Sequence, residues 1–511
     1  MKTLAQLLEA VHGVQYEILS SHKYLDSIYI SSLAFDSRVA TAGGMFFCLS
    51  GSISDGHAFA DMAYAAGCRC FAVERELPLP SDAVIIKFKS TRSALSHVSA
   101  EFYSHPDREM HVIGITGTKG KTTTALLIHK MLESCGIRSG YIGTNGISFC
   151  GKHFNTVNTT PESLELFKYL DYMRHDGVGA VVIEVSSQAL WTCRVQDLHF
   201  DTCIYTNLYP DHIGNNEHPS FEHYKKTKRS LFRDFSPSTV IVNSDDGEWR
   251  YMVRGSRASI ITTSADGNDG DWRAENVREV RTSEHLGVSF TARRGDMSLP
   301  VLLDLPGKIN VGNALLLFAL CCDVFDISPL TVAKNFEGMT IDGRGEVLIS
   351  PALPDVTFVI DYAHNGASLA AILGVLRGYD PTRLICLFGS VGERTFMRRG
   401  ELARAAAEGA DICILTSDNP GRESPEKIIS EIDAEFPEGY PQRICIPDRR
   451  EAIEYAVRTA EAGDIILLAG KGHEDYQLIG IRRVPFCERD IINSTIDGLF
   501  AVGDGEFSKN Y

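Results

Sequence analysis

The stretch His111 to Met131, HVIGITGTKGKTTTALLIHKM, limits the folds open to this chain more than any other. His111 to Ile115 is an apolar run that predicts a short buried strand. It breaks into Gly117-Thr118-Lys119-Gly120-Lys121-Thr122-Thr123, and good helix formers follow from Ala125 to Met131. Strand, glycine loop and helix in that order are the context of a phosphate-binding loop. The glycines let backbone N–H groups turn toward an anion, and the helix N-terminus adds its dipole. Lys121 would reach the outer phosphates, and the Thr122 hydroxyl would take a magnesium ion. The full Walker spacing would need a glycine at 115, where Ile115 stands, so the loop is the shorter GTxGKT form. A plain Gly/Thr turn is the bland alternative. Lys and Thr following the second glycine in order argue against it.

The chain has 511 residues. That is too long for one ordinary core, so roughly three domains of about 150 residues are expected. A hydrophobic content of 44% and a charged content of 23% fit a soluble globular protein. The net charge of −16 argues against a nucleic-acid binder that works by neutralising phosphates. The thirteen cysteines are scattered without a CxxC pair. They read as reduced, mostly buried thiols of a cytosolic protein. The N-terminus lacks the apolar run of a signal peptide, and no stretch approaches the ~20 apolar residues of a membrane span.

Residues 1–107 predict a small α/β domain. Gly44 to Leu49, Cys70 to Val73 and Ala83 to Phe88 are its strands, with His57 to Ala66 and Thr91 to Tyr103 as helices. Asp55-Gly56 reads as a cap or a turn. Asp36-Ser37-Arg38 sets a hydroxyl and a cation beside a strand edge. Ser104 to Asp107 reads as a linker.

Residues 108–345 predict the central domain. Its apolar runs each end in polar residues: Thr144, then Asn158-Thr159-Thr160-Pro161; Glu184-Val185-Ser186-Ser187; Asp211-His212; and Asn243-Ser244-Asp245. In a doubly wound parallel sheet, ligands bind outside the carboxyl ends of the strands, so these clusters can converge. A carboxylate at the end of an apolar strand, Glu184, needs a partner. Magnesium near the phosphates would be one, with His212 as a second ligand; alone, His212 reads as a cap. Residues 264–298 read as solvated loop and edge strand. Asn310 and Asn313 lie at a helix start, as caps or as base contacts. Phe221 to Phe232 predicts a helix with Tyr224, Lys228 and Leu231 roughly on one face. By spacing alone Lys228 is unremarkable.

Residues 346–511 predict a second Rossmann-like unit. Thr357 to Ile360, Leu384 to Phe388, Ile412 to Leu415 and Ile465 to Leu468 are strand-like. The loops after them begin at Asp361, Gly389, Ser417 and Lys471. Four polar loops at strand ends predict one site-facing sheet edge, expected to face the phosphate loop.

These residues resemble the Mur ligases, in particular the UDP-N-acetylmuramyl-tripeptide synthetase type of peptidoglycan synthesis. The resemblance covers nearly the whole chain. It rests on Asp36-Ser37-Arg38, GTKGKTTT (117–124), NTTP (158–161), EVSS (184–187), TNLYPDH (206–212), LPGKINVGN (305–313), GRGE (343–346), DYAH (361–364), DNP (418–420) and KGHE (471–474). It implies three α/β domains: a UDP-binding N-terminal domain, a central ATP-binding domain, and a C-terminal domain for the incoming amino acid. It implies an ATP- and magnesium-dependent ligase, cytoplasmic and monomeric. That enzyme joins a free diamino acid to UDP-N-acetylmuramoyl-L-alanyl-D-glutamate through an acyl phosphate.

By resemblance, Lys121, Lys228 and His212 are catalytic, and Thr122, Glu184, His212 and a carbamylated Lys228 hold magnesium. Residues 117–123, with Asn310, Arg344 and Asp361, match ATP contacts. Ser37, Asn158, Thr159, Thr160, Ser186 and Arg194 match the UDP-muramyl-dipeptide side. Arg394, Asp418, Asn419 and Glu474 match the amino-acid side. Relatives that take meso-diaminopimelate have an arginine directly after DNP to grip its distal carboxylate. Here Gly421 stands there and Arg422 follows. That shift favours L-lysine or a similar diamino acid, with meso-diaminopimelate as the alternative. Lys119 in the loop and two extra residues between His212 and Lys228 are departures expected to be tolerated. A folate polyglutamylating ligase, a non-catalytic nucleotide-binding partner and a motor-type ATPase are the competing classes. The Asp36-Ser37-Arg38 and KGHE motifs count against the first, and an intact metal set counts against the second. The third predicts ATP hydrolysis without an amino acid acceptor.

Overall fold

The strand expected at His111 runs His111–Thr116, and the helix after the glycine loop starts at once, spanning Lys121–Ser134. It begins four residues earlier than its best helix formers. Burial of Thr124 and Ala125 overrides the weak propensity of the threonines. These coordinates are a computed structural model, which describes residues 1–19, 24–51, 54–214, 217–267, 269–393, 397–440 and 442–501. The chain divides into two compact units. The first is Met1–Ser264 with Asn268–Trp272 and Leu316–Ile327; the second is Ala265–Gly267, Arg273–Leu315 and the residues from 328 onward.

The first unit holds two larger sheets. The smaller has the order Tyr16–Ile18, Val84–Phe88, Cys70–Val73, Gly44–Phe47, Ser32–Ala34. Its last four strands run parallel. The expected helices are present as a short 3₁₀ turn Gly56–Phe59 leading into Ala60–Ala65, and as Thr91–Phe102. Asp55 caps the turn by accepting from His57 N. The stretch read as a linker is tightly packed instead. Pro106–Arg108 form a 3₁₀ turn, and buried Asp107 accepts from His199 N at 2.8 Å.

The other sheet carries the phosphate loop. Ser139–Gly143, Ala180–Glu184, His111–Thr116, Thr202–Tyr205, Thr239–Asn243 and Ser259–Ser264 lie side by side and parallel. Gly146–Phe149 and Lys152–Phe154 extend one edge antiparallel. The Ala180–Glu184 and Thr202–Tyr205 strands are buried at every position, as parallel strands covered on both faces must be. Helix Phe221–Arg233 is capped by Ser220, whose side chain accepts from His223 N. It buries Tyr224, Lys228 and Leu231, spaced four and three apart along one face.

In the second unit the sheet order is Arg344–Ser350, Leu353–Asp361, Ile465–Ala469, Leu384–Phe388, Ile412–Leu415, Arg443–Cys445. The four strands expected from sequence are its contiguous parallel core. Arg344–Ser350 pairs antiparallel at one edge. The region read as solvated loop and edge strand pairs into antiparallel strands, with Leu286–Arg294 against both Trp272–Arg281 and Met297–Leu303. Its alternating polar and apolar residues fit a sheet with one wet face. Among the described residues no helix is long and apolar enough to cross a membrane. All thirteen cysteines are free; Cys150 and Cys445 are exposed and the others buried or half-buried.

Candidate active site

The phosphate loop is braced from the neighbouring strand end. Thr118 N donates to Asn207 O and Lys119 N to Asn207 Oδ1, both at 2.9 Å. Thr206 Oγ1 donates to Lys119 O at 2.7 Å. A Cβ on Gly117 would lie 1.9 Å from Thr206 Oγ1, so only glycine fits this approach. Lys121 Nζ donates to Gly117 O at 2.8 Å and to Thr118 O at 3.0 Å. Lys228 Nζ reaches the same Gly117 carbonyl at 2.8 Å and Thr116 Oγ1 at 3.3 Å. Two lysine side chains thus meet on one carbonyl. Lys228 is buried, and burial, followed by the charge of Lys121, holds its pKa well below the ordinary lysine value.

Glu184 ends its strand with no solvent exposure. Its Oε1 accepts from Tyr141 OH at 2.6 Å and Thr144 N at 2.9 Å, and its Oε2 from Thr122 Oγ1 at 2.8 Å. The partner that the sequence argument required is therefore a set of hydrogen-bond donors within the chain. Thr122 and Glu184 also present hard oxygens side by side. Magnesium is commonly held by one or two carboxylates plus substrate phosphates, so this donor set fits it. Among the described residues no three His, Cys, Asp or Glu side chains gather as a metal cage. His212 has a left-handed backbone (φ 55°) and a half-exposed side chain, 3.2 Å from Glu217 Oε1. No hydrogen bond among the described residues joins it to Thr122, Glu184 or Lys228.

The residues expected on the dipeptide side join this cluster. Thr159 Oγ1 lies 3.2 Å from Thr144 Oγ1. Thr160 Oγ1 donates to Glu184 O at 2.7 Å and accepts from Ser186 N at 3.1 Å. Arg194 Nη1 donates to Thr160 O, and Arg194 Nε lies 3.1 Å from Glu162 Oε1. Arg92 grips both oxygens of Glu162 at 2.7 Å. Asn158 is half-buried. Ser37 opens a 3₁₀ turn, also half-buried, and the adjacent Arg38 cation is spent on Asp36 at 2.6 Å.

In the second unit, Asp361 ends its strand and accepts from Gly345 N at 2.7 Å and Ala363 N at 2.8 Å. Burial raises its pKa against the pull of Arg344. The Arg344 guanidinium stacks 4.8 Å over the Tyr362 ring. Asn310 is no helix cap. It lies inside the first turn, donating from its amide to Pro306 O at 2.8 Å and accepting from Asn313 Nδ2 at 3.0 Å. Asn419 Nδ2 donates to Glu474 Oε2 at 2.8 Å, and buried Lys471 bridges Asn419 Oδ1 and Glu474 Oε2 at 3.1 Å each. Asp418 is buried, 3.8 Å from Lys471 Nζ. Gly421 has φ 59°, and Arg422 after it is exposed. Arg394 lies outside the described residues.

Sequence reasoning assigned no role to Tyr141, Thr144, Asn207, Glu162 or Arg92. Asn207 and Glu162 lie in or beside quoted motifs and Thr144 at a strand end, so their position was a signal; Tyr141, inside a strand, offered none. Arg92, in a distant helix, offered none.

Residues 115–321 match the Mur ligase middle domain, and residues 343–472 match the Mur ligase, glutamate ligase domain. The chain is 34% identical over 503 residues to the UDP-N-acetylmuramoyl-L-alanyl-D-glutamate--2,6-diaminopimelate ligase 1 of Clostridium acetobutylicum, covering 97% of this chain and 100% of that one. It is 33% identical to the corresponding ligase of Caldanaerobacter subterraneus subsp. tengcongensis, covering 96% and 99%. A solved UDP-N-acetylmuramoyl-L-alanyl-D-glutamate--2,6-diaminopimelate ligase superposes with a TM-score of 0.69 at 26% identity, covering 98% and 100%. A phosphate loop on one parallel sheet, a second parallel sheet edged with polar loops, and these matches define an ATP-dependent ligase of peptidoglycan synthesis. The chain belongs to the Mur ligase family, and within it to the UDP-N-acetylmuramyl-tripeptide synthetases. The folate-ligase, non-catalytic and motor readings give way to it.

Proposed function

We propose that this enzyme joins meso-diaminopimelate to the D-glutamate of UDP-N-acetylmuramoyl-L-alanyl-D-glutamate, in the cytoplasm, with ATP as energy source. The observation that carries the chemistry is the convergence of Lys121 and Lys228 on the Gly117 carbonyl, in the same loop that brings Thr122 to Glu184. The amino acid is supported by the relatives, which are named as diaminopimelate ligases, and by the exposed Arg422 next to Gly421. These support the diaminopimelate alternative over the L-lysine reading drawn from Gly421.

The substrate carboxylate is a poor electrophile, so its oxygen attacks the γ-phosphorus of ATP and ADP leaves. Lys121 and the loop N–H groups orient the phosphates and neutralise charge on the transferring group. Thr122 and Glu184 would hold magnesium, which when bound supplies further charge neutralisation. The neutral amine then attacks the acyl carbon, loses its proton, and inorganic phosphate departs. Arg194, Thr160 and Ser186 orient the dipeptide; Asp418, Asn419 and Glu474 the diamino acid. Lys228, depressed toward its neutral form, can add to carbon dioxide through its lone pair and lose a proton, becoming a carbamate anion.

The test is phosphate release with the muramyl-dipeptide and meso-diaminopimelate, L-lysine, L-ornithine or no acceptor. Release is expected with diaminopimelate alone. Release with L-lysine alone would overturn the choice of amino acid, and release without any acceptor would overturn the ligase reading.

A further inference from the structure

In the second unit, the loop that carries Asp418 and Asn419 is closed by a second loop, residues 389–393. Gly392 N donates to Asn419 O at 3.0 Å, and Glu393 N donates to Glu423 Oε2 at 3.1 Å. Glu423 is itself held by Arg399 Nη2 at 2.7 Å. On the other side, Gly421 N donates to Leu478 O at 3.1 Å and Gly480 N donates to Gly421 O at 2.6 Å. Gly421 is therefore fixed between two neighbours.

Glu393 takes a left-handed backbone, φ 57°, which is costly for a residue with a side chain and persists only when its surroundings hold it. The two loop bonds above do so. The result is a carboxylate aimed over Gly421: a Cβ at position 421 would lie 3.1 Å from Glu393 Oε2. Glycine at 421 leaves that room open. Glu393 is exposed, and its carboxylate has no hydrogen-bond or ion-pair partner among the described residues. The neighbouring acids are differently placed. Glu474 is engaged by Asn419 and Lys471, and Asp418 is buried near Lys471.

We propose that Glu393 recognises the distal ammonium of the incoming diamino acid, beside Arg422 at its distal carboxylate. This rests on the diamino-acid ligase reading above. The far end of meso-diaminopimelate is a zwitterion. An exposed carboxylate and an exposed guanidinium, flanking the same glycine, match its two charges.

The test pairs the substrate with its analogue lacking the distal amine. With wild-type enzyme, kcat/KM for meso-diaminopimelate should exceed that for 2-aminopimelate by about tenfold or more, the worth of one charge-assisted hydrogen bond. Glu393→Gln should raise KM for diaminopimelate about tenfold, leave kcat and the KM of ATP and dipeptide nearly unchanged, and bring the ratio near one. Glu393→Asp, which keeps the charge, should restore part of it. An unchanged ratio in Glu393→Gln overturns the inference. If the enzyme takes L-lysine instead, the same comparison runs against L-2-aminohexanoate. The choice of diaminopimelate then fails, while the role of Glu393 is still decided by the ratio. If no diamino acid is accepted, both fall.

Discussion

Lys228 sits where the helix pattern calls for an apolar side chain, between Tyr224 and Leu231. A lysine is almost never fully buried unless paired, and here its nearest partners are a carbonyl and a hydroxyl rather than an anion. Such a site costs stability and holds the amine toward neutrality, which suits a reactive group better than a structural one. Lys228→Ala should lower turnover by about 10²–10³-fold, comparable to losing one preorganised charge-stabilising group. Nucleotide affinity, read by titration calorimetry, should change little. Equal loss of both would assign Lys228 to loop architecture alone. The spacing in the sequence placed Lys228 on the right face, yet only the fold around that face makes it unusual.

At the scale of elements, the loops at strand ends are held by one another. Glu423 is the clearest case. The Arg399 guanidinium, helped by Glu393 N, lowers its pKa to about 2 from the ordinary 4.5. Its side chain is 15% exposed, so the coupling is only partly screened. A carboxyl depressed in the folded state binds fewer protons there than when unfolded. Its stabilisation is therefore complete above about pH 4.5 and is lost as the pH falls toward 2. Urea unfolding from pH 5 to pH 2.5 should show a loss from this group on the order of 2 kcal/mol. Glu423→Gln should remove that part of the pH dependence. An equally steep acid loss in the variant would exclude Glu423 as its source. Sequence reasoning located the loops around Gly389 and Ser417, because each follows an apolar strand. It did not find their mutual bonds, since Arg399 and Glu423 are distant in sequence and neither belongs to a strong motif.

At the scale of the whole molecule, one buried ion pair lies beneath the strand ends of the second unit. Arg449 and Glu488 are fully buried, with Nε 2.9 Å from Oε1. The same guanidinium donates to Ser417 O at 3.2 Å and Ala469 O at 2.9 Å, carbonyls close to Asp418 and Lys471 in the chain. Arg449→Met would strand a buried carboxylate and should destabilise the protein by about 3–5 kcal/mol in equilibrium unfolding. Arg449→Met with Glu488→Leu should regain most of that, because no unpaired charge remains. A double variant as unstable as the single one would show that the carbonyl bonds, not the ion pair, carry the cost.

The amino-acid sequence alone determined the phosphate loop, the parallel strands of the central and C-terminal sheets and their polar ends. Each is a local pattern: an apolar run sized for a buried strand, followed at once by glycine or polar residues. The side-to-side order of the strands came only with the tertiary structure. So did the hydrogen-bond donors that satisfy Glu184, the second lysine on the Gly117 carbonyl, and the Arg92–Glu162 pair. These unite residues dozens of positions apart, and a local pattern carries no record of which distant group packing will bring within 3 Å.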